Sequence, residues 1–181
     1  MHRLAVPLAV VATLALAACG KVQEKAAEKV AEKAIEASMA KDGTQAKVDL
    51  SNNAIKVTTT DAAGKTTQME MGNAQISEAE LGLPFYPGSK PAEGGAMRMV
   101  NADNTALHLG LRSADAPDKV AAFYREKMKA MAAGKQFVDM ASAEGASLSL
   151  SDDKGKSALQ VHVAKDDQGS AITITSTRGA N

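Results

Sequence analysis

Hydrophobic and polar positions follow three successive patterns along the chain. Residues 4–18 form an apolar run, and apolar positions within 21–40 recur at the spacing of a helix. From residue 46 onwards apolar and polar residues alternate as in strands, interrupted by one helical pattern between 117 and 133. This order predicts an α+β fold: an N-terminal amphipathic helix, then a mostly antiparallel sheet with one packed helix.

The first helix is predicted from a repeat of Lys, Glu and Ala, residues of high helix propensity. On a helical wheel the glutamates and lysines share one arc, while Val22, Val30 and the alanines fill the other. Because alanine buries little area, the helix either lies close against a partner or acts as a spacer between a membrane and a domain. An oligomeric coiled coil is a further alternative, although the run lacks large residues at the core positions. Lys41-Asp42-Gly43 is expected to end the helix.

The sheet is predicted from short alternating segments separated by turns rich in Asn, Asp and Gly. In chain order these segments are 46–50, 54–60, 65–71, 96–100, 105–112, 136–141, 146–150, 158–163 and 171–176. The 72–84 segment is predicted to be irregular. Tyr86-Pro87-Gly88-Ser89 fits a type II turn, which favours Pro at its second and Gly at its third position.

The packed helix has recognisable start and stop signals. Asp115 is a good N-cap residue, Pro117 is tolerated in the first turn, and Gly134 follows the expected end near Ala133. Its larger apolar residues recur at helical spacing and predict one buried face. These residues are Val120, Phe123, Tyr124, Met128 and Met131.

The N-terminal apolar run is typical of a secretory signal peptide. It is about 15 residues long, short of the roughly 20 that a helix needs to cross a bilayer. The run ends in Leu16-Ala17-Ala18-Cys19-Gly20, which matches the bacterial lipobox. We therefore expect cleavage before Cys19 and acylation of its thiol, which anchors the chain to a lipid bilayer. The alternative is a soluble secreted protein, cut by the ordinary signal peptidase, with a free thiol.

Lipidation of Cys19 limits both the chemistry and the location of the protein. The chain contains 1 cysteine, so an acylated Cys19 leaves no thiol for catalysis, disulfides or metal binding. Gly20 stands where retention in the inner membrane usually requires Asp. In a Gram-negative host we therefore expect the periplasmic face of the outer membrane.

Composition predicts one small domain with an extended arm. Lys and Arg total 21, as do Asp and Glu, and this balance argues against nucleic acid as a partner. Aromatic residues make up 3% of the chain, which limits the size of the core. The predicted segments are a signal peptide (1–18), a lipid-anchored helical spacer (19–44), a small β-meander (45–84) and an α+β domain (85–181).

Several motifs occur in a fixed order along the mature chain. After the lipobox and the charged helix come Leu83-Pro84-Phe85-Tyr86-Pro87-Gly88 and then Val120-Ala121-Ala122-Phe123-Tyr124. The order resembles a widespread family of uncharacterised bacterial lipoproteins, which have a Y-P-G-A turn and a V-x-x-F-Y-x-x-x-L helix. This chain departs from the pattern at Ser89, where Ala is usual, and at Met128, where Leu is usual. The resemblance implies no catalytic residues.

Two histidines of the mature chain lie in strand patterns. Alternation places His108 and His162 on the sheet face away from the packed helix, together with Arg112 and Gln160. If the two histidines are neighbours, this group suits a small anion or a metal. The simpler interpretation is a solvated sheet surface, because two histidines without a carboxylate at fixed spacing specify no metal geometry.

Met-x-Met occurs twice, at Met69 and Met71 and again at Met97 and Met99. On a strand this spacing places two thioethers on one face, a donor set that suits soft Cu(I). The simpler interpretation is that the methionines fill a core short of aromatic residues. We therefore predict no metal site, with Met97, Met99, His108 and His162 as the candidates if one exists.

No motif predicts catalysis. The acidic pairs 152–153 and 166–167 lie in predicted turns, and the serines lack the spacing of known nucleophile motifs. An enzyme would require Arg112, His108 and an acid in one pocket. We predict a non-catalytic periplasmic module without a cofactor, which binds an envelope protein or other envelope component through one sheet face, or supports it structurally. The alternative is a carrier of a metal or small ligand that uses Met and His side chains.

Overall fold

The computed structural model describes residues 20–40, 44–51, 54–152, 154 and 156–179. The predicted signal peptide and the lipidation site at Cys19 lie outside these ranges. So does Lys41-Asp42-Gly43, which was predicted to end the first helix. No helix in the described ranges combines the length and the apolar character needed to span a membrane.

The described chain forms helices and strands in an order close to the predicted one. In sequence they are α1 (Gly20–Met39), β1 (Gln45–Asp49), β2 (Ile55–Thr60), β3 (Thr66–Gly72), α2 (Glu78–Leu81), β4 (Lys90–Asn101), β5 (Asn104–Ser113), α3 (Pro117–Ala130), β6 (Lys135–Ser142), β7 (Gly145–Asp152), β8 (Ser157–Asp166) and β9 (Gly169–Gly179). The described strands form one antiparallel sheet in the order β1-β2-β3-β4-β5-β9-β8-β7-β6. A mostly antiparallel sheet with a few helices agrees with the predicted α+β class.

The sheet is continuous across residue 85, where the sequence suggested a boundary between segments. β3 pairs with β4 over six residue pairs, from Thr67 with Asn101 to Gly72 with Ala96. The first three strands therefore extend the same sheet to which the later strands belong. The division of the chain into segments itself stays a prediction.

β4 begins at Lys90, well before the predicted start near residue 96. Its pairing with β5 shifts register between Pro91 and Ala96, where Gly94 has a φ of +65°. Such a bulge turns successive side chains out of strict alternation, so the pattern that marks a strand is lost over these residues.

The later helices also differ from the prediction, and α3 ends at Ala130, before the expected end near Ala133 and Gly134. α2 lies in the segment predicted to be irregular, and Ser77 and Glu80 form a reciprocal capping box at its start. The N-cap of α3 is Ala116, which makes no side-chain cap bond, so the prediction of Asp115 as the cap is wrong. The Asp115 carboxylate instead accepts hydrogen bonds from a tyrosine hydroxyl and a lysine ammonium.

α3 packs on one face of the sheet, which we call the front face. Val120, Tyr124 and Met128 are fully buried, which confirms the predicted buried side of this helix. Beneath them, apolar residues lie opposite one another across four neighbouring strands. One such row, from β5 through β9 and β8 to β7, is Leu109, Ile174, Val161 and Leu148.

Tyr124 joins α3 to the turn that precedes β4. Its hydroxyl oxygen accepts a hydrogen bond from the buried Tyr86 N–H at 3.0 Å. The predicted turn after Tyr86 is present: Ser89 N–H donates to the Tyr86 carbonyl at 3.0 Å, and Gly88 has a φ of +75°. Burial raises the pKa of Tyr124 to about 12, so the phenol stays protonated at physiological pH.

α1 turns its acidic arc towards the free edge of β1. The Glu36 carboxylate accepts from Val48 N–H at 2.8 Å, and the Glu32 carboxylate accepts from Leu50 N–H at 3.1 Å. Two N–H groups on one strand edge are about 7 Å apart, and residues four apart on a helix rise about 6 Å, so the two spacings match. The Lys29 ammonium, together with Leu50 N–H, holds the pKa of Glu32 below its usual range.

We expect Tyr124→Phe to lower the free energy of unfolding by about 1–3 kcal/mol, because the buried Tyr86 N–H loses its acceptor. Chemical denaturation followed by circular dichroism measures the change. Thr60→Val, which removes a surface contact between the hydroxyls of Thr60 and Thr66, serves as the control and should stay within about 0.5 kcal/mol. Equal stability of Tyr124→Phe and the wild type would contradict this role of the hydroxyl.

Candidate functional site

The face of the sheet opposite α3, which we call the back face, differs between its two halves. The helices of the described chain contact mainly β1 and the strands from β6 to β9, and none packs extensively on β2–β5. The segment before β4, which includes α2, contributes Ile76, Leu81 and Leu83 to the front core. The back face of β2–β5 is therefore left without a helical cover in the described part of the chain.

The apolar half of the back face is formed by β2, β3 and β4. We call it the methionine patch: Ile55, Val57, Met69, Met71, Met97 and Met99. Ile55 is 41% exposed, and the other five side chains are half-buried. All six lie outside the cluster of buried core residues, so the interpretation of the methionines as core filling does not describe their position.

Polarity is inverted across these strands compared with the rest of the sheet. On the front face of β2 and β3, Lys56 and Glu70 form an ion pair at 3.3 Å. On β4 the front-facing Arg98 pairs with Glu80 of α2 at 2.7 Å. The charged side chains of the paired residues 55–60, 66–72 and 96–101 thus lie on the front, and most of their larger apolar side chains lie on the back.

The two Met-x-Met segments lie directly opposite each other. Met71 pairs with Met97, and Met69 pairs with Met99, across the β3–β4 ladder. Directly opposed residues in an antiparallel pair have Cβ atoms about 4.5–5.5 Å apart. Four thioethers therefore share one small area of the back face.

His108 continues one of these rows. It lies on β5 directly opposite Met97, on the same face. Its Nδ1 is 3.4 Å from the Thr175 hydroxyl oxygen of β9. The row across the sheet therefore reads Met71, Met97, His108 and Thr175.

The other predicted members of the histidine group are dispersed. β9 lies between β5 and β8, so His108 and His162 are not on adjacent strands. His162 is exposed and lies opposite Thr173, whereas Gln160 lies opposite Thr175 in the row of His108. Arg112 is 3.5 Å from the Asp166 carboxylate.

Two of the carboxylates singled out by the sequence, Asp152 and Asp166, have structural partners. Asp152 accepts from Lys156 N–H at 2.8 Å and from the Ser157 hydroxyl at 3.0 Å, as predicted for a turn residue. Asp153 lies outside the described residues. In the described chain, no three residues of the types His, Cys, Asp and Glu lie close enough together to hold a metal ion.

Sequence reasoning missed a polar cluster at the start of α3. The Tyr86 hydroxyl donates to the Asp115 carboxylate at 2.6 Å, and the Lys119 ammonium donates to the same carboxylate at 3.0 Å. These two bonds hold the pKa of Asp115 below its usual range. The Tyr86 ring also packs edge-on against Phe123, with centroids 5.3 Å apart. The cluster holds the turn before β4 against α3. The signal for it in the sequence was the Y-P-G motif together with the aromatic residues of the predicted helix.

Similarity to known proteins adds no further residues to the site. No family model matches the sequence, and no curated protein or solved structure matches the chain significantly. The functional interpretation therefore rests on the residues and geometry of this chain.

We expect the methionines of the patch to be oxidised by dilute hydrogen peroxide much faster than Met128, because sulfoxide formation requires access to the sulfur. Met140, 60% exposed on β6, provides the exposed reference, and fully buried Met128 provides the protected one. Peptide mass spectrometry over time gives the rate at each position. Protection of Met69, Met71, Met97 and Met99 to the level of Met128 would show that this face is covered in solution.

Proposed function

We propose that the protein is a membrane-anchored periplasmic lipoprotein that acts as a non-catalytic binding or structural module of the envelope. Its partner docks on the methionine patch. The observation that carries this proposal is a contiguous set of partly exposed apolar side chains on strands that no described helix covers. A contiguous apolar patch on the surface of a soluble protein commonly marks a site that binds another molecule.

The shape and chemistry of the patch favour a protein partner. Methionine side chains are flexible and polarisable, and they adapt to apolar surfaces of differing shape. Polar residues border the patch on one side, where Thr175 and Gln160 follow His108 across the sheet. An apolar centre with a polar border is the usual composition of a protein interface.

The proposed anchor agrees with the position of α1. If Cys19 is acylated, α1 begins one residue from the bilayer, at Gly20. The first described carboxylate that it presents to the sheet is that of Glu32, about 18 Å further along the helix. The N-terminal part of α1 then acts as a spacer between membrane and sheet. Membership of the family of uncharacterised lipoproteins is part of this proposal and rests on the motif residues.

A non-catalytic role is consistent with the partners of the candidate residues. The enzyme hypothesis required Arg112, His108 and an acid in one pocket. Arg112 pairs with Asp166, whereas His108 contacts Thr175 and faces the methionine patch. The acid beside Arg112 is thus not shared with His108, which contacts a hydroxyl group, and this separation supports a non-catalytic role.

A second candidate function is a carrier of a metal ion or small ligand. The observation that favours it is the opposition of Met71 and Met97, with His108 beside them on the next strand. The same residues that provide an apolar surface also provide soft donor atoms.

We expect a photoreactive amino acid at Ile55 to crosslink one defined envelope partner in cells, because Ile55 lies at the exposed end of the patch. The matched control is the same probe at Lys56, the next residue of β2, which faces the front. Crosslinked bands are detected by immunoblotting and identified by mass spectrometry.

The specificity of this crosslink is tested by introducing a glutamate on the back face or on the front face of β2. Val57→Glu should abolish the Ile55 crosslink because it buries a carboxylate in the interface, whereas Lys56→Glu should leave it intact. A crosslink that survives Val57→Glu, or one that forms equally from position 56, would exclude the patch as the docking surface.

We expect Cys19→Ser to abolish metabolic labelling with palmitate and to release the protein from the membrane fraction, since the serine hydroxyl cannot form the thioether. Gly20→Ala serves as the control and should leave both labelling and fractionation unchanged. Membrane association of Cys19→Ser without label would show that another feature anchors the chain.

A further inference from the structure

We propose that Met71, Met97 and His108 bind one Cu(I) ion on the back face of the sheet. This site rests on the second candidate function and specifies its ion and its ligands. The sequence indicated Met97, Met99, His108 and His162 as candidates. Strand pairing adds Met71 and removes His162, which lies on the far side of β9.

The geometry of the site follows from one row of the sheet. Met71 is directly opposite Met97, and Met97 is directly opposite His108, on three adjacent strands. Neighbouring strands are about 4.8 Å apart, so the outer two residues of the row are about 10 Å apart at the backbone. Methionine and histidine side chains are long enough to converge from this distance on a common point above Met97.

The donor set selects a soft monovalent ion. Two thioethers and one neutral imidazole carry no negative charge, and soft sulfur ligands favour Cu(I) over harder divalent ions. In the described chain, the acidic residues and histidines form no group that competes for a harder metal. Three donors also suffice for Cu(I), which accepts low coordination numbers.

Thr175 gives His108 the support that a metal ligand needs. A histidine that binds a metal through one nitrogen usually places its other nitrogen in a hydrogen bond, which fixes the ring and its tautomer. The His108 Nδ1 is 3.4 Å from the Thr175 hydroxyl, so Nε2 is the nitrogen for the ion. Nδ1 then carries the ring proton, and this N–H donates a hydrogen bond to the threonine oxygen.

The second row of thioethers surrounds the site. Met69 and Met99 lie two residues along the same strands, also directly opposite each other. Their side chains limit the access of water to the ion and offer alternative sulfur ligands during exchange with a partner. The partial exposure of the patch allows such an exchange, which a fully buried site would prevent.

The test is an anaerobic titration of the full chain with Cu(I), supplied as its weak acetonitrile complex and followed by isothermal titration calorimetry. We expect one equivalent to bind with a dissociation constant below micromolar, and Zn(II) not to bind. X-ray absorption of the complex should show two sulfur ligands and one nitrogen ligand. Binding no tighter than micromolar, or a shell without nitrogen, would overturn the proposal.

Leucine variants distinguish the role of the methionines as copper ligands from their role as apolar surface. Met97→Leu conserves volume and removes a sulfur, so it should abolish saturable binding and leave the fold unchanged by circular dichroism. Met140→Leu is the matched control on the same face of β6, at the opposite edge of the sheet, and should bind like the wild type. Thr175→Val should weaken binding about tenfold, as the loss of a supporting hydrogen bond usually does.

The same variants distinguish this proposal from the docking function. An Ile55 crosslink that persists in Met97→Leu, together with lost Cu(I) binding, supports both proposals independently. Cu(I) binding by Met97→Leu at wild-type affinity would overturn the metal site whatever the crosslinking result. If Val57→Glu loses the crosslink but binds Cu(I) as the wild type does, the result would support the metal site. It would also support docking on the part of the methionine patch around Val57.

Discussion

The area that one helix can cover determines how this sheet is arranged. α3 has 14 residues and is about 21 Å long, while the nine strands of the described chain are together about 38 Å wide. α3 contacts β6 to β9, and the segment before β4 adds apolar side chains to the same core. Beyond these strands the front face carries the Lys56–Glu70 and Arg98–Glu80 ion pairs. Because side chains alternate along a strand, polar front positions leave the apolar positions of β2–β4 on the back. The methionine patch is a consequence of this inversion.

The edge of the sheet at β1 presents a second constraint, since unpaired N–H groups on an edge strand invite pairing with another chain. α1 satisfies two of them with glutamate carboxylates, at Val48 and Leu50. An apolar helix face cannot do this, which explains why the acidic arc of α1 meets β1 while Val30, on the other arc, is 70% exposed. The charged repeat thus has a structural role besides the proposed one of a spacer, because it blocks pairing of another chain with the β1 edge.

Alternation along the chain predicted the strands well because it reports a local property, the side of the sheet on which each residue lies. It failed at Pro91 to Ala96, where a bulge disrupts the alternation, and the capping box of Ser77 and Glu80 was a signal that went unused. The candidate site depended on non-local information. The proximity of His108 and His162 required adjacent strands, but β9 inserts between β5 and β8. The opposition of the two Met-x-Met segments depends on register, which a bulge or a change in turn length of one residue would alter.

Docking and Cu(I) binding make different demands on the same methionines. Docking uses their apolar area, most of which leucine also supplies, and their adaptable shape, whereas metal binding needs their sulfur atoms and His108. A core short of aromatic residues explains methionine at Met128, which is fully buried, but it does not explain four methionines on a half-exposed face. For docking alone, Leu or Ile at these positions would bury similar area with better-defined rotamers. Cu(I) bound there would add a positive charge to the patch, and an apolar partner would then meet an ion that it cannot solvate. On these proposals, the ion and an apolar partner would compete for the patch, unless the partner itself provides soft ligands for the copper.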